Sequence, residues 1–182
     1  DGGDPTDLAR ATTTYHLNVE GTLARGGYFA KNQMMQEAPL RLLNKGFQFI
    51  STDEGRHITF GLELLKELLE KERAGEPEYQ GVSEVIWDQM NTDLDDIVNT
   101  AYFITDDVGD PLEVGLDDII LRGANLLYTM YVEELGIEDK ELTDISNAAF
   151  ESLEKAKSFD YDTIIENHSH IYSQKEKAQS GA

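Results

Sequence analysis

An apolar stripe with helical spacing, interrupted by two ionisable side chains, most constrains how this chain can fold. Phe47, Ile50, Glu54, His57, Gly61, Leu64 and Leu68 recur at intervals of three and four residues, as one face of an α-helix requires. Glu54 and His57 are therefore expected to face a core, where a charge is costly unless a proton, an ion pair or a metal compensates it. The Glu-x-x-His spacing suits a metal site in a helical bundle, and it equally suits a buried histidine hydrogen-bonded to a carboxylate.

Helical patterns extend over most of the remaining sequence. Helices are expected at about residues 7–37, 39–73, 82–105, 116–135 and 142–157. Asp4 and Pro5 favour a helix start, Gly75 and Pro77 favour a helix end, and Gly136 should cap the fourth helix.

The predicted fold class is all-α, because no sustained period-two alternation indicates a strand. The third helix has the clearest core face, which consists of Val85, Ile86, Met90, Leu94, Ile97 and Val98. Asp106–Pro111 is predicted to be a loop from its Gly, Pro and Asp content. Residues 1–172 are expected to form one helical domain, and residues 173–182 a flexible polar tail.

Composition excludes several classes of function. The 182 residues include 36 acidic and 15 basic ones, a formal charge of -21, which makes nucleic acids and anionic membranes poor partners. The absence of cysteine excludes disulfides, iron–sulfur clusters and thiolate zinc sites. The dispersed acidity resembles that of halophilic cytoplasmic proteins. Without a long apolar run or a signal sequence, a cytoplasmic location is expected.

Glu20 is a second acid on an apolar stripe. Its neighbours Leu17, Leu23 and Gly27 would normally face a core, so an unpaired carboxylate there would be costly. The partner could be a metal, or a cation such as Arg25 in an ordinary salt bridge.

The residues around both acids resemble those of the ribonucleotide reductase small-subunit superfamily. The similarity lies in Tyr15-His16-Leu17-Asn18-Val19-Glu20-Gly21-Thr22-Leu23-Ala24, in Gly27-Tyr28-Phe29 and in Asp53-Glu54-x-x-His57. The resemblance implies a ferritin-like bundle that holds two transition-metal ions, Mn/Fe or Fe/Fe. It also implies that Glu20, Glu54 and His57 are metal ligands and that Asp53 hydrogen-bonds a ligating histidine on another helix.

The chain departs from this family because it contains only one Glu-x-x-His. It resembles the C-terminal half of a member, which predicts that the N-terminal half of the site is missing and that the fragment alone is inactive. The other acids and histidines are expected to be surface residues; they are Glu133, Glu134, Glu166, His168 and His170.

Two oxidative functions share this scaffold. Tyr15 lies five residues before Glu20, which matches the cross-linking tyrosine of the ligand-binding Mn/Fe oxidases, whose ligand is a long-chain fatty acid. Gly26 and Gly27 would suit a channel or close helix packing equally well. The alternative is the radical-generating reductase subunit, in which Tyr161 or Tyr172 would relay the radical to a large subunit. Both resemblances imply a homodimer. A non-catalytic helical interaction module is a further alternative.

Overall fold

The computed structural model of the chain describes residues 3–28, 41–112, 115–137 and 141–158. These residues form five α-helices: α1 (Pro5–Thr12), α2 (Arg41–Arg73), α3 (Val82–Leu112), α4 (Leu116–Tyr128) and α5 (Leu142–Lys157). Two of them continue as π-helices, α1 over Thr13–Ala24 and α4 over Thr129–Glu134. A 3₁₀ turn (Pro77–Tyr79) lies between α2 and α3. No strand occurs within these ranges, so the predicted all-α class is confirmed for the described part of the chain.

The helix ends have the capping residues that the sequence indicates. An Asp4 carboxylate oxygen accepts a hydrogen bond from the Thr6 backbone N–H at 2.9 Å, and Pro5 is the first helical residue. Gly75 ends α2 with a φ of 79°, and Gly136 follows the fourth helix with a φ of 65°. Both glycines adopt the left-handed conformation that helix C-termini favour.

The predicted loop at Asp106–Pro111 is wrong, because α3 remains helical to Leu112. Turn-forming residues give only a weak local preference, which a long helix overrides when its earlier turns are packed. Pro111 lies in the last turn, where a proline removes only one intrahelical hydrogen bond. Three predictions lie outside the described residues. They are the helical stretch at 29–37, the start of the second helix near Pro39 and the flexible tail at 173–182.

The core lies where α1 and its π-helical continuation pack against α2, α3 and α4, while α5 covers α3 and α4. The predicted core face of α3 is largely confirmed: Ile86, Met90, Leu94, Ile97 and Val98 are buried and Val85 is partly buried. No helix within the described ranges has a stretch long and apolar enough to span a bilayer.

The apolar stripe of α2 is buried over only half of its length. Ile58, Gly61, Leu65, Leu68 and Leu69 are buried. The predicted core positions at Ile50 and His57 are wrong, because Ile50 is 49% exposed and the His57 side chain is 48% exposed. Phe47, Glu54 and Leu64 are partly buried. The first turns of α2 extend past the other described helices, so spacing identified the apolar face correctly but could not show what covers it.

Candidate metal centre

Glu20 is a buried carboxylate between two imidazole rings. It lies on the π-helical continuation of α1 and is 6% exposed. His16 Nδ1 lies 2.9 Å from one carboxylate oxygen, and His57 Nδ1 lies 3.1 Å from the other. A ring that carries its proton on Nδ1 donates a hydrogen bond to the carboxylate in each of these contacts. Glu20 therefore pairs with histidines from two helices, and not with Arg25.

The helix backbone places His16 and Glu20 together, since residues four apart are neighbours on a helix surface. His16 fits closely against α2 at Gly61, where an added Cβ would overlap the His16 side chain and come within 2.8 Å of its Cγ. The His16 ring also packs edge-on against Phe60, with centroids 5.6 Å apart. Gly61 thus allows the two helices to approach closely enough for His57 to reach Glu20.

The π-helical geometry itself is unusual at this site. Such wide turns are rare and occur frequently at functional sites. Here the π-helix extends over Thr13–Ala24 and contains Glu20, and Thr22 Oγ1 donates to the Leu17 carbonyl at 3.2 Å. The π-helix is therefore a second feature, besides the buried carboxylate, that indicates a functional site at Glu20.

Only one of the two carboxylate oxygens of Glu54 has a hydrogen-bond partner among the described residues. Its Oε1 accepts a hydrogen bond from the Tyr28 hydroxyl at 2.7 Å, whereas its Oε2 is buried and has no hydrogen-bond partner within the part of the chain that the structure describes. A buried carboxylate oxygen without a donor is energetically costly. Burial, together with the hydrogen bond to Glu54, raises the pKa of Tyr28 to about 12. Glu54 consequently has one oxygen held by a phenol and one oxygen available to a further ligand.

Asp53 and Tyr15 lie at the outer edge of the site. Asp53 Oδ2 is 4.0 Å from His57 Nε2, longer than a hydrogen bond, and its Oδ1 pairs with Arg56 at 3.1 Å. Tyr15 is 55% exposed, and its ring lies 5.0 Å from that of His16. The negative charge of Glu20 raises the pKa of the Tyr15 phenol above its ordinary value. The structure thus brings Tyr15, Glu20 and His57 together and leaves Asp53 on the surface.

We call His16, Glu20, Tyr28, Glu54 and His57 the imidazole cluster. Two of its members, His16 and Tyr28, were not predicted as site residues. The spacing of four between His16 and Glu20 could have indicated the first. No sequence pattern could have indicated the second, because its contact with Glu54 depends on how α1 and α2 pack.

The cluster contains the right donors for a metal but does not converge on one point. In the part of the chain that the structure describes, no three Asp, Glu or His side chains are grouped as a metal ion requires. The nitrogens and oxygens that would coordinate a cation instead hydrogen-bond each other. Imidazole and carboxylate ligands with an unpaired Glu54 oxygen nevertheless fit the chemistry of manganese and iron.

A second polar cluster lies on the same π-helix and has a different character. It consists of Thr14, Asn18, Gln89, Asp93 and Tyr131, and we call it the amide cluster. Asp93 accepts hydrogen bonds from Thr14 at 2.7 Å, Asn18 at 2.8 Å and Gln89 at 2.7 Å. The buried Tyr131 hydroxyl donates to Asn18 Oδ1 at 2.6 Å. This cluster joins α1, α3 and the π-helix after α4.

The remaining acids and histidines were expected to lie on the surface, and the two that the structure describes do so. Glu133 and Glu134 are exposed, and Glu134 pairs with Lys66 at 3.0 Å. Glu166, His168 and His170 lie outside the described residues.

Comparison with known proteins gives no family for this chain. No protein-family model matches the sequence, and no curated protein or solved structure is significantly similar to it. Support for a function therefore comes from the geometry of the imidazole cluster and from the sequence resemblance described above.

Proposed function

We propose that this chain is part of an oxygen-activating di-metal oxidoreductase of the ribonucleotide reductase small-subunit type, with a ferritin-like bundle. Glu20, Glu54 and His57 are the proposed ligands, and His16 is an additional nitrogen donor. The observation that supports this most strongly is the buried Glu20 carboxylate, which lies within hydrogen-bond distance of two imidazole nitrogens.

When bound, a pair of manganese or iron ions supplies one-electron redox chemistry and open positions for oxygen. The chain contributes the surroundings. Glu20 and Glu54 would offset the charge of the cations. The Nδ1 atoms of His16 and His57 lie 2.9 and 3.1 Å from the two oxygens of Glu20. Tyr28 holds Glu54 by a hydrogen bond from its hydroxyl, which its raised pKa keeps protonated at neutral pH.

The competing hypothesis is a helical interaction module in which the cluster only satisfies itself. The hydrogen bonds of Glu20 to His16 and His57 are compatible with that hypothesis. Glu54 favours the metal site instead, since its Oε2 is buried and receives no hydrogen bond from the residues that the structure describes. Native proteins rarely leave a carboxylate oxygen in this state unless an ion, a ligand or a water satisfies it.

Among the oxidative functions, the ligand-binding oxidase is our preferred proposal, with Tyr15 as the residue that becomes cross-linked. The supporting observation is the position of the Tyr15 phenol beside His16 and within the field of Glu20. No described residue favours the alternative of a reductase subunit, because Tyr161 and Tyr172 lie outside the described residues.

Metal retention by the complete chain tests the proposal. After dialysis against Mn(II) and then against metal-free buffer, elemental analysis should find manganese in the wild-type protein. Glu20→Gln should retain much less, and Glu133→Gln, the same change at an exposed helical glutamate, should retain as much as wild type. Retention that is absent from wild type, or unchanged in Glu20→Gln, would contradict the proposal.

Mass spectrometry separates the two oxidative functions in a metal-loaded, air-exposed sample of the protein that includes the N-terminal half of the site. A cross-link at Tyr15 joins two residues with the loss of two hydrogens, and oxygen is the oxidant. That mass loss in peptides containing Tyr15, absent from Tyr15→Phe, supports the oxidase. An unmodified Tyr15, together with nucleotide reduction that needs a large subunit and is lost in Tyr161→Phe or Tyr172→Phe, would support the reductase subunit.

A further inference from the structure

The apolar face of α2 extends beyond the part that the other described helices bury. Leu43 and Ile50 lie seven residues apart and Ile58 follows eight residues later, so the three share one face of the helix. Ile58 is 2% exposed, whereas Leu43 and Ile50 are 47% and 49% exposed. The first turns of α2 therefore present apolar side chains that the described residues leave about half exposed.

The first helix adds apolar surface beside α2. Tyr15 on the first helix is 55% exposed, and Phe60 on α2 is 61% exposed. The His16 ring packs edge-on against both, with its centroid 5.0 Å from that of Tyr15 and 5.6 Å from that of Phe60. Of the ten large apolar side chains that are exposed among the described residues, seven lie within residues 15–19 and 42–60. We call these two stretches the open face. Exposed apolar side chains that adjoin one another are typical of an interaction site.

The last described helix, α5, runs toward the end of the bundle at which α2 begins. Arg73, the last residue of α2, donates to the Leu135 carbonyl at 3.0 Å, shortly before α5 starts at Leu142. α5 thus starts near the end of α2. In its last turns, Lys155 pairs with Asp95 on α3 at 3.1 Å.

The contacts of α3 place these last turns of α5 level with the imidazole cluster. Asp93, two residues before Asp95, accepts a hydrogen bond from Asn18 at 2.8 Å, and Asn18 precedes Glu20 by two residues. The chain therefore leaves α5 at the level of the open face. Residues 159–182 reach about 80 Å when extended, whereas packed helices lie about 10 Å apart. The segment is long enough to cross the bundle and reach the open face.

The sequence after α5 has an apolar pattern that suits this surface. Residues 159–172 lie outside the described ranges, and their apolar side chains recur at spacings of three, four and seven. This spacing gives a helix one apolar face. The residues that form the pattern are Tyr161, Ile164, Ile165, Ile171 and Tyr172.

The charges of the two stretches are complementary. Residues 41–50, which begin α2, contain two basic side chains, Arg41 and Lys45, and no acidic one, in a chain whose net charge is -21. Residues 159–172 contain three acidic side chains and no lysine or arginine. Opposite charges at the edge of an apolar contact favour the correct pairing of the two surfaces. The stretch at 41–50 therefore attracts residues 159–172, whereas the acidic remainder of the chain repels them.

We propose that residues 159–172 bind the open face of the same chain and cover the first turns of α2. The apolar side chains of the segment pack against Leu43 and Ile50, and its acidic side chains lie near Arg41 and Lys45, which are exposed. Because both surfaces belong to one chain, their effective concentration is about millimolar, so modest contacts suffice for binding. The interaction requires no metal, so it goes beyond the proposed function and does not depend on it.

Thiol labelling of the full chain tests the contact directly, because the chain contains no cysteine of its own. In Ile50→Cys, the introduced thiol should react about tenfold more slowly than in Ile50→Cys combined with Ile165→Lys, which places a charge in the apolar contact. Ile164→Lys repeats the test at a neighbouring position. Leu121→Cys is the matched control on α4, where the leucine is 42% exposed, and its labelling rate should not change with Ile165→Lys.

Each other occupant of the open face gives a different labelling result, and each of these results overturns the proposal. Slow labelling that persists with Ile165→Lys and with Ile164→Lys but disappears on dilution identifies a second copy of the chain. Slow labelling that persists with both substitutions at every concentration identifies another segment of the chain. Equally fast labelling in all the variants shows that nothing covers Ile50.

Hydrogen exchange measured by mass spectrometry gives an independent result from the other side of the contact. The backbone amides of residues 161–172 should exchange about tenfold more slowly in the wild-type chain than in Ile50→Lys, because binding restricts the opening that exchange requires. Leu121→Lys should leave the exchange of these amides unchanged. Wild-type exchange as fast as that of an unfolded peptide, or equal effects of Ile50→Lys and Leu121→Lys, would overturn the proposal.

Discussion

Two polar clusters use opposite sides of the π-helix that continues α1, and they differ in how their hydrogen bonds are satisfied. In the amide cluster, Asp93 receives three hydrogen bonds and Asn18 uses both ends of its amide. In the imidazole cluster, Glu20 makes two hydrogen bonds but a buried oxygen of Glu54 receives none from the described residues. The two clusters thus differ both in their side-chain chemistry and in the completeness of their hydrogen bonding.

A complete buried network stabilises one packing arrangement, because each member would lose a partner if the helices shifted. A network with an unmet acceptor is less favourable in isolation and becomes favourable when a cation binds. We therefore interpret the amide cluster as structural and the imidazole cluster as a ligand site. Substitutions in the first should change stability without metal, and substitutions in the second should change mainly the response to metal.

The largest expected effect is that of Asn18→Leu. This substitution keeps a similar size but leaves the buried Tyr131 hydroxyl without its acceptor and removes one donor from Asp93. We expect a loss of about 3 kcal/mol in the free energy of unfolding, measured by urea denaturation without metal. Glu20→Gln under the same conditions should lose about 1 kcal/mol, since its amide oxygen keeps one of the two hydrogen bonds and its NH2 group faces a ring nitrogen that can change tautomer and accept. Equal losses in the two variants would contradict the distinction between the clusters.

A substitution with a smaller effect should disturb the imidazole cluster from the opposite helix. Gly61→Ala would place a Cβ against the His16 side chain, and we expect about 2 kcal/mol of destabilisation from overpacking. Gly55→Ala is the matched control on α2, because a Cβ there meets no atom within 4 Å. It should stabilise the protein by up to about 1 kcal/mol through helix propensity. Thermal unfolding measures both, and a neutral Gly61→Ala would show that the helices separate easily at this position.

The smallest expected effect concerns the pH dependence of the contact between Tyr28 and Glu54. The pKa of Tyr28 is raised from 10.0 to about 12 in the folded chain, so the folded state holds the phenolic proton more tightly than the unfolded state. The resulting stabilisation is fully present below pH 10 and is lost as the pH rises to about 12. The stability difference between wild type and Tyr28→Phe should decrease over that interval. A difference that stays constant with pH would show that the contact does not shift the pKa.

Sequence reasoning succeeded where the signal is local. Asp4, Gly75 and Gly136 mark helix ends because capping depends on a few adjacent residues. The same reasoning failed at Asp106–Pro111, where local turn preference was overridden in a long helix. It also placed Ile50 in a core, since periodicity identifies the apolar face of a helix but not the neighbour that buries it.

For the candidate site, the two carboxylates and His57 were predicted from polar interruptions of apolar stripes. Their pairing across 37 residues, from Glu20 to His57, follows from two adjacent helices and is confirmed as a contact, while metal binding stays a prediction. The amide cluster was not predicted. Its hydrogen bond between Asn18 and Tyr131 spans 113 residues and depends on tertiary packing that no local pattern reveals.

The most direct test of the central claim is the effect of Mn(II) on unfolding in three proteins: wild type, Glu20→Gln and Tyr131→Phe. At a free concentration of about 100 times the dissociation constant, a ligand that binds only the folded state adds about 2.7 kcal/mol to the free energy of unfolding. We predict an increase of this size for wild type and for Tyr131→Phe, whose baseline stability is lower, and almost none for Glu20→Gln. No stabilisation of wild type by Mn(II), or equal stabilisation of Glu20→Gln, would contradict the assignment of the imidazole cluster as a metal site.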